Sequence, residues 1–173
     1  MTDYIQSKGA AALGTRLRRL SERMDREIQS VYGEYDVSFE PRWFPIVSAL
    51  SDYGLLSVGD LADLIGVSHA AISQLRVELV NARLIRAKVD PSDGRRQLIA
   101  LTSGGRRRVR MLRPLWDAIT RATIDLCIEA APDLLARIDR IEAALQKKSM
   151  KRRVCALHPV GRRTVEATMV SDG

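Results

Sequence analysis

The sequence predicts a mainly helical chain organised around a winged helix-turn-helix, with a β-hairpin wing and long flanking helices. Three observations predict it. Ser57 to Ile65 and His69 to about Asn81 have the spacing of two short helices, with Gly66 between them as a left-handed turn residue. Two short β-branched runs, Leu84 to Val89 and Gln97 to Leu101, flank the turn-rich stretch Asp90-Pro91-Ser92-Asp93-Gly94-Arg95-Arg96, the pattern of a hairpin with a long loop. Between Arg83 and Arg113, ten Lys/Arg face two acids, a local balance of +8 in a chain of formal net charge +7. The rest is close to neutral, and a positive field confined to one element points to a polyanionic partner.

From Leu13 to about Tyr35, apolar residues recur at Leu13, Leu17, Leu20, Met24, Ile28, Val31 and Tyr35. Steps of three and four give a long helix one apolar face. Pro41 then stands at or near a helix start, and PRWFPIVSALSDYG reads as a compact helix ending at Gly54. Ser57-Val58-Gly59-Asp60 has the form of a capping box. Ser68 caps the following helix, whose inward face is expected to be Ile72, Leu75, Leu79 and Val80. Thr102 caps a long helix through Val109, Leu112, Trp116, Ile119, Thr123 and Leu126, with Pro114 inside the pattern as a potential kink. Pro132 breaks the run, and a last amphipathic helix carries Leu134, Leu135, Ile138, Ile141 and Leu145. The division expected is a domain at 1–147, with its dimerisation helices, and a basic, disordered tail at 148–173.

At 173 residues and 46% hydrophobic, the chain can bury a core and is not a disordered basic protein. No apolar run approaches the roughly 18 residues of a membrane span, and the first residues lack the apolar segment of a secretory signal. Cys127 and Cys155 are too few for a disulfide framework and have no CxxC spacing. A soluble, cytoplasmic protein is expected. The sequence pI of about 9.9 favours nucleic acid over an anionic membrane surface, because the cations do not line one face of an amphipathic helix.

The front of the second short helix offers small and hydrogen-bonding side chains. Ser68 and Ala70 let a backbone approach a groove floor. His69, Ser73 and Gln74 can read base edges, Gln favouring adenine, and Arg76 suits phosphate or guanine. In the wing, Arg95 and Arg96 sit where a guanidinium enters a narrow minor groove, and Asp93 can orient Arg95; Arg86 and Lys88 add cations on the first strand. Tyr35, Phe39, Trp43, Phe44 and Tyr53 are either the lining of a pocket for a small aromatic effector or core, and core is the favoured reading. With His69 and His158 the only histidines, no metal-ligand cluster exists, and no catalytic constellation or cofactor loop is found. RNA is a lesser expectation than double-stranded DNA, since the aromatics fall in predicted core rather than among the cations.

Leu61-Ala62, Ile65-Gly66-Val67-Ser68, Ala71-Ile72-Ser73, Leu79, Leu84-Ile85, Asp90-Pro91, Asp93-x-Arg95 and Leu101-Thr102-x-x-Gly105 stand in the order and spacing of the MarR family, which this chain resembles from about Leu13 to Leu145. These are dimeric bacterial regulators named for multiple antibiotic resistance. The resemblance implies a homodimer, formed by the first helix and the two closing helices, that binds double-stranded DNA. It also maps the family's wing Asp and Arg onto Asp93 and Arg95. The family frequently has Arg where this chain has Gly94, which removes one cation from the tip. The stretch Phe39 to Pro45 and the later Ser68 to Gln74 also resemble a subgroup fused to an acetyltransferase. Only a short basic tail follows Lys148, too little for such an enzyme, which leaves a stand-alone relative or a truncated form; a repressor binding an inverted repeat as a homodimer is expected. The alternative is a non-catalytic, truncated regulatory module of such a fusion.

Overall fold

The computed structural model describes residues 3–158, with the Arg95 side chain outside the described ones. In chain order the elements are α1 (Tyr4–Ser7), a 3-10 turn (Gly9–Ala12), α2 (Leu13–Glu34), a second 3-10 turn (Pro41–Trp43), α3 (Phe44–Tyr53), β1 (Leu56–Ser57), α4 (Val58–Ile65), α5 (His69–Asn81), β2 (Ile85–Asp90), β3 (Asp93–Leu101), α6 (Ser103–Ala130), α7 (Leu134–Lys147) and α8 (Met150–Leu157). They divide within α6 into two compact units, Met1–Ile119 and Thr120–Gly173.

In the first unit, local chemistry places the helix ends. Ser57 and Asp60 form the expected capping box: Asp60 N donates to Ser57 Oγ at 3.1 Å and Ser57 N donates to Asp60 Oδ2 at 2.8 Å. Ser68 Oγ accepts from Ala71 N at 3.2 Å and starts α5. Three helices stop the same way, with a left-handed residue and a bond closing back five residues. Gly66 (φ 75°) precedes Val67 N–H, which donates to Ala62 O; Asp36 (φ 52°) precedes Val37, which donates to Tyr32 O; Arg83 (φ 59°) precedes Leu84, which donates to Leu79 O. Only the first of these three has the glycine that such a turn favours.

The strands form one antiparallel sheet of order β1-β3-β2. The hairpin loop is shorter than expected. Pairing continues from Ile85↔Leu101 to Asp90↔Asp93, leaving Pro91 and Ser92 as the connection. Asp90 Oδ1 closes that turn by accepting from Ser92 N at 2.9 Å and Ser92 Oγ at 2.7 Å. These bonds, the side-chain one first, hold the Asp90 carboxyl below its ordinary range.

The core joins α2, α3, α4, α5, the sheet and the start of α6 through Tyr32, Phe39, Ile46, Leu61, Ile72, Leu79 and Ile99. Phe39 meets Tyr32, Trp43 and Trp116 at centroid distances of 5.4, 5.7 and 5.6 Å, and Trp116 Nε1 donates to Tyr32 Oη at 3.0 Å. Burial pushes the Tyr32 hydroxyl pKa up. Two expectations shift here. Val80 is exposed rather than inward, and on α2 the buried ring is Tyr32, while Tyr35 is 64% exposed beyond the helix end. The N-terminal half of α2 leaves Leu13, Leu17 and Leu20 exposed.

The second unit contains the end of α6, α7 and α8. Its α7 leaves Leu135, Ile138, Ile141 and Leu145 exposed. Residues 150–157, expected within a disordered tail, are helical. Ser149 caps α8, and Arg153 donates from Nε to Lys148 O at 3.0 Å and from Nη2 to Ala144 O at 2.8 Å. A guanidinium on terminal carbonyls satisfies acceptors that the end of α7 leaves open. Residues 159–173 of the expected tail lie outside the described residues.

Candidate nucleic-acid interface

The first turns of α5 and the base of β3 frame a groove of about 590 Å³. His69, Ser73 and Arg76 line it from α5, and Asp93, Arg96 and Gln97 from β3. Five residues singled out from sequence therefore meet in one place. Ser68, Ala70 and Gln74 are exposed on the same helix, Ala70 and Gln74 one turn apart. The His69 ring stands beside Gly59 at the start of α4, where an added Cβ would lie 3.5 Å from His69 Cε1.

Arg96 does more than supply charge. Its Nη2 donates to both oxygens of Asp60, at 2.9 and 2.8 Å, so one guanidinium ties the wing to the capping box that starts α4. In sequence Asp60 reads as a helix cap and Arg96 as a DNA contact, with no signal that joins them. The Ser57 backbone N–H and side chain, followed by Arg96, hold the Asp60 carboxyl below its ordinary range. Arg76 is different: its Nε is buried and has no hydrogen-bond partner among the described residues. A buried donor left open is unfavourable by about 1–3 kcal/mol.

Strand alternation separates the other predicted wing cations from this groove. Arg86 pairs with Ala100 and Lys88 with Leu98, one face of the hairpin, whereas Val89 pairs with Gln97 and Ala87 with Ile99 on the other. Gln97 lines the groove with α5. Arg86 and Lys88 instead line a second cavity, of about 760 Å³, together with α3 and α6. They are therefore placed away from the helix they were expected to assist.

The five aromatic residues divide between the core and the surface. Phe39 and Trp43 are buried in the core, Phe44 lies edge-on to Trp116 at 5.0 Å, and Tyr35 and Tyr53 are 64% and 65% exposed. Trp43 Nε1 donates to Glu78 Oε2 at 3.0 Å, and Arg42 Nη2 reaches the same oxygen at 3.2 Å, so this group braces α5. Among the described residues no group of three His, Cys, Asp or Glu stands ready for a metal ion, and no helix is long and apolar enough to cross a membrane.

Residues 36–96 match the model of the MarR family. No curated protein matches the chain. Among solved structures, the chain is similar to MepR of S. aureus in complex with DNA, with 20% identity, a TM-score of 0.64 and coverage of 77% of this chain and 98% of that one. It is also similar to a probable transcriptional regulator from Pseudomonas aeruginosa, with 25% identity, a TM-score of 0.59 and coverage of 73% and 96%. A third likeness is to a mutant MarR from E. coli complexed with operator DNA, with 16% identity, a TM-score of 0.60 and coverage of 77% and 92%. Residues 36–96 thus carry the sequence signature of the MarR family, and the chain has the winged-helix fold of those solved structures.

Proposed function

We propose that this protein is a sequence-specific transcriptional regulator that binds double-stranded DNA as a homodimer, acting in the cytoplasm as a repressor by occluding promoter DNA. One observation carries the reading: the front of α5 and the wing share a groove lined by His69, Ser73, Arg76 and Arg96. The Arg76 guanidinium in that groove is placed to meet a duplex phosphate, and the exposed Ala70 and Gln74 beside it meet base edges. Arg96, latched to Asp60, fixes the wing relative to α4 and so fixes the reach of its tip. Similar folds in MepR and MarR are seen with DNA, which supports the same use of this surface.

The exposed leucines of α2 and the exposed apolar face of α7 favour a dimer, since a partner's equivalent helices are the natural cover. Leu17→Glu with Leu20→Glu is expected to give a monomer by analytical ultracentrifugation that has lost DNA binding. Two copies of α5 related by a two-fold axis require an inverted repeat with half-site centres about 10 bp apart. Selection from random duplex DNA tests the proposal. Recovery of such a repeat is expected, and recovery of unpaired sites or no enrichment at physiological salt contradicts it. Regulation by a small aromatic effector is part of the proposal; a similar structure, BpsR of Bordetella bronchiseptica, concerns regulation of DNA binding by 6-hydroxynicotinic acid.

A further inference from the structure

We propose that the cavity behind the wing is a binding site for a small organic polyanion with an apolar body, separate from the surface assigned to DNA. The cavity, about 760 Å³, lies between the sheet face opposite α5, the end of α3 and the first turns of α6. Arg86 and Lys88 line it from β2, and Arg106, Arg110 and Arg113 line it from α6. No Asp or Glu is among its lining residues. None of the five cations forms an ion pair among the described residues, although the Lys88 charge helps lower the pKa of Asp90. Five like charges around one concavity repel one another, and that repulsion is relieved most by an anion of more than one charge.

The walls are fixed. Gly105 packs against Leu84, just before β2, so closely that an added Cβ would run into the Leu84 carbonyl. Arg106 Nη1 donates to Leu101 O at 3.0 Å, which orients that guanidinium at the cavity edge. The three α6 arginines stand four and three residues apart, on one side of the helix over about 10 Å, a span suited to several acidic groups in a row. Leu55, Leu98 and Val109 supply an apolar surface that a duplex backbone has no use for. The occupant is therefore a polyphosphate or polycarboxylate carrying an aryl or acyl part. This assignment does not depend on the DNA reading.

The trisulfonated dye 8-hydroxypyrene-1,3,6-trisulfonate is a probe of this chemistry, read by fluorescence anisotropy on the full chain. One dye per chain is expected. Arg110→Gln with Arg113→Gln, and separately Arg86→Gln from the opposite wall, each weaken it by about tenfold or more, as loss of charge-assisted contacts implies. Arg76→Ala, and Arg137→Gln with Arg140→Gln on α7, leave its affinity unchanged. Displacement by a nucleoside triphosphate identifies a phosphate head, and displacement by benzene-1,3,5-tricarboxylate a carboxylate head; either supports the site. Three results overturn it: unchanged dye affinity in both cavity variants, equal weakening by the α7 pair, or displacement of the dye by scrambled duplex DNA.

Discussion

The two faces of the wing sheet both carry arginines, yet those charges are held differently. On the α5 side, the cations are few and individually committed: Arg96 is latched to Asp60, and Arg76 holds one buried donor open. The neighbouring side chains are small or hydrogen-bonding, and the surface opens outward. On the α6 side, five cations surround a concavity with an apolar floor and no lining carboxylate. The first arrangement suits an extended backbone with base edges beside it. The second suits a compact anion with an apolar part. A basic run in sequence thus does not specify one polyanionic partner, because strand alternation sends neighbouring residues to opposite faces.

The largest effect on this arrangement is expected where α6 is seated against the chain entering β2. Gly105→Ala drives a Cβ into the Leu84 carbonyl and pushes α6 off β2. It should destabilise the protein by about 3 kcal/mol or more, as an overpacked site with backbone on the other side implies. Urea denaturation measures this, and a loss within experimental error of zero would mean that α6 is seated loosely. Next in size is Gln74→Ala, which should weaken binding by about 1–3 kcal/mol at particular base pairs and leave the salt dependence unchanged. Titrations against single-base variants of the selected site separate that from uniform weakening.

Smaller still is the latch. Asp60→Ala removes a cap and an ion pair together and should destabilise by about 1–2 kcal/mol, while Arg96→Ala removes only the exposed pair, about 0.5 kcal/mol. Because the folded Asp60 carboxyl titrates below its unfolded value, its contribution is complete above the ordinary carboxylate range of about 4. It is lost as pH falls through the lower, folded value. The stability difference between wild type and Arg96→Ala should therefore be constant from neutrality down to about pH 5 and close in more acid solution. A difference that widens on acidification would contradict the pairing.

The parts of this molecule that were legible in sequence are those set by neighbours in the chain. The Ser57 box, the Ser68 cap and Gly66 fix α4 and α5 within a few residues, so both helices are legible directly. Asp36 and Arg83 end α2 and α5 in the same left-handed geometry without glycine, and nothing in their type announces it. The Asp60–Arg96 latch joins residues 36 positions apart and depends on the hairpin register. The two-residue Pro91-Ser92 turn was hidden by polar residues that read equally well as a long loop, until Asp90 is seen closing it. The separation of Arg86 and Lys88 from α5 was present in the alternation of β2, but a charge total along the chain conceals it. Helix α8 rests on Arg153 reaching α7 carbonyls, a contact without a sequence period.

The central claim is that duplex DNA is held by the α5 face of the wing and not by the α6 face. A salt series on the selected duplex, comparing wild type with Arg76→Ala and with Arg110→Ala/Arg113→Ala, tests it most directly. Arg76→Ala should weaken binding across sequences and reduce the slope of log affinity against log salt by about 1. The α6 pair should leave both slope and affinity as in wild type. Loss of about 2 from the slope in the α6 pair, with Arg76→Ala unchanged, would put the duplex on the other face and contradict the assignment.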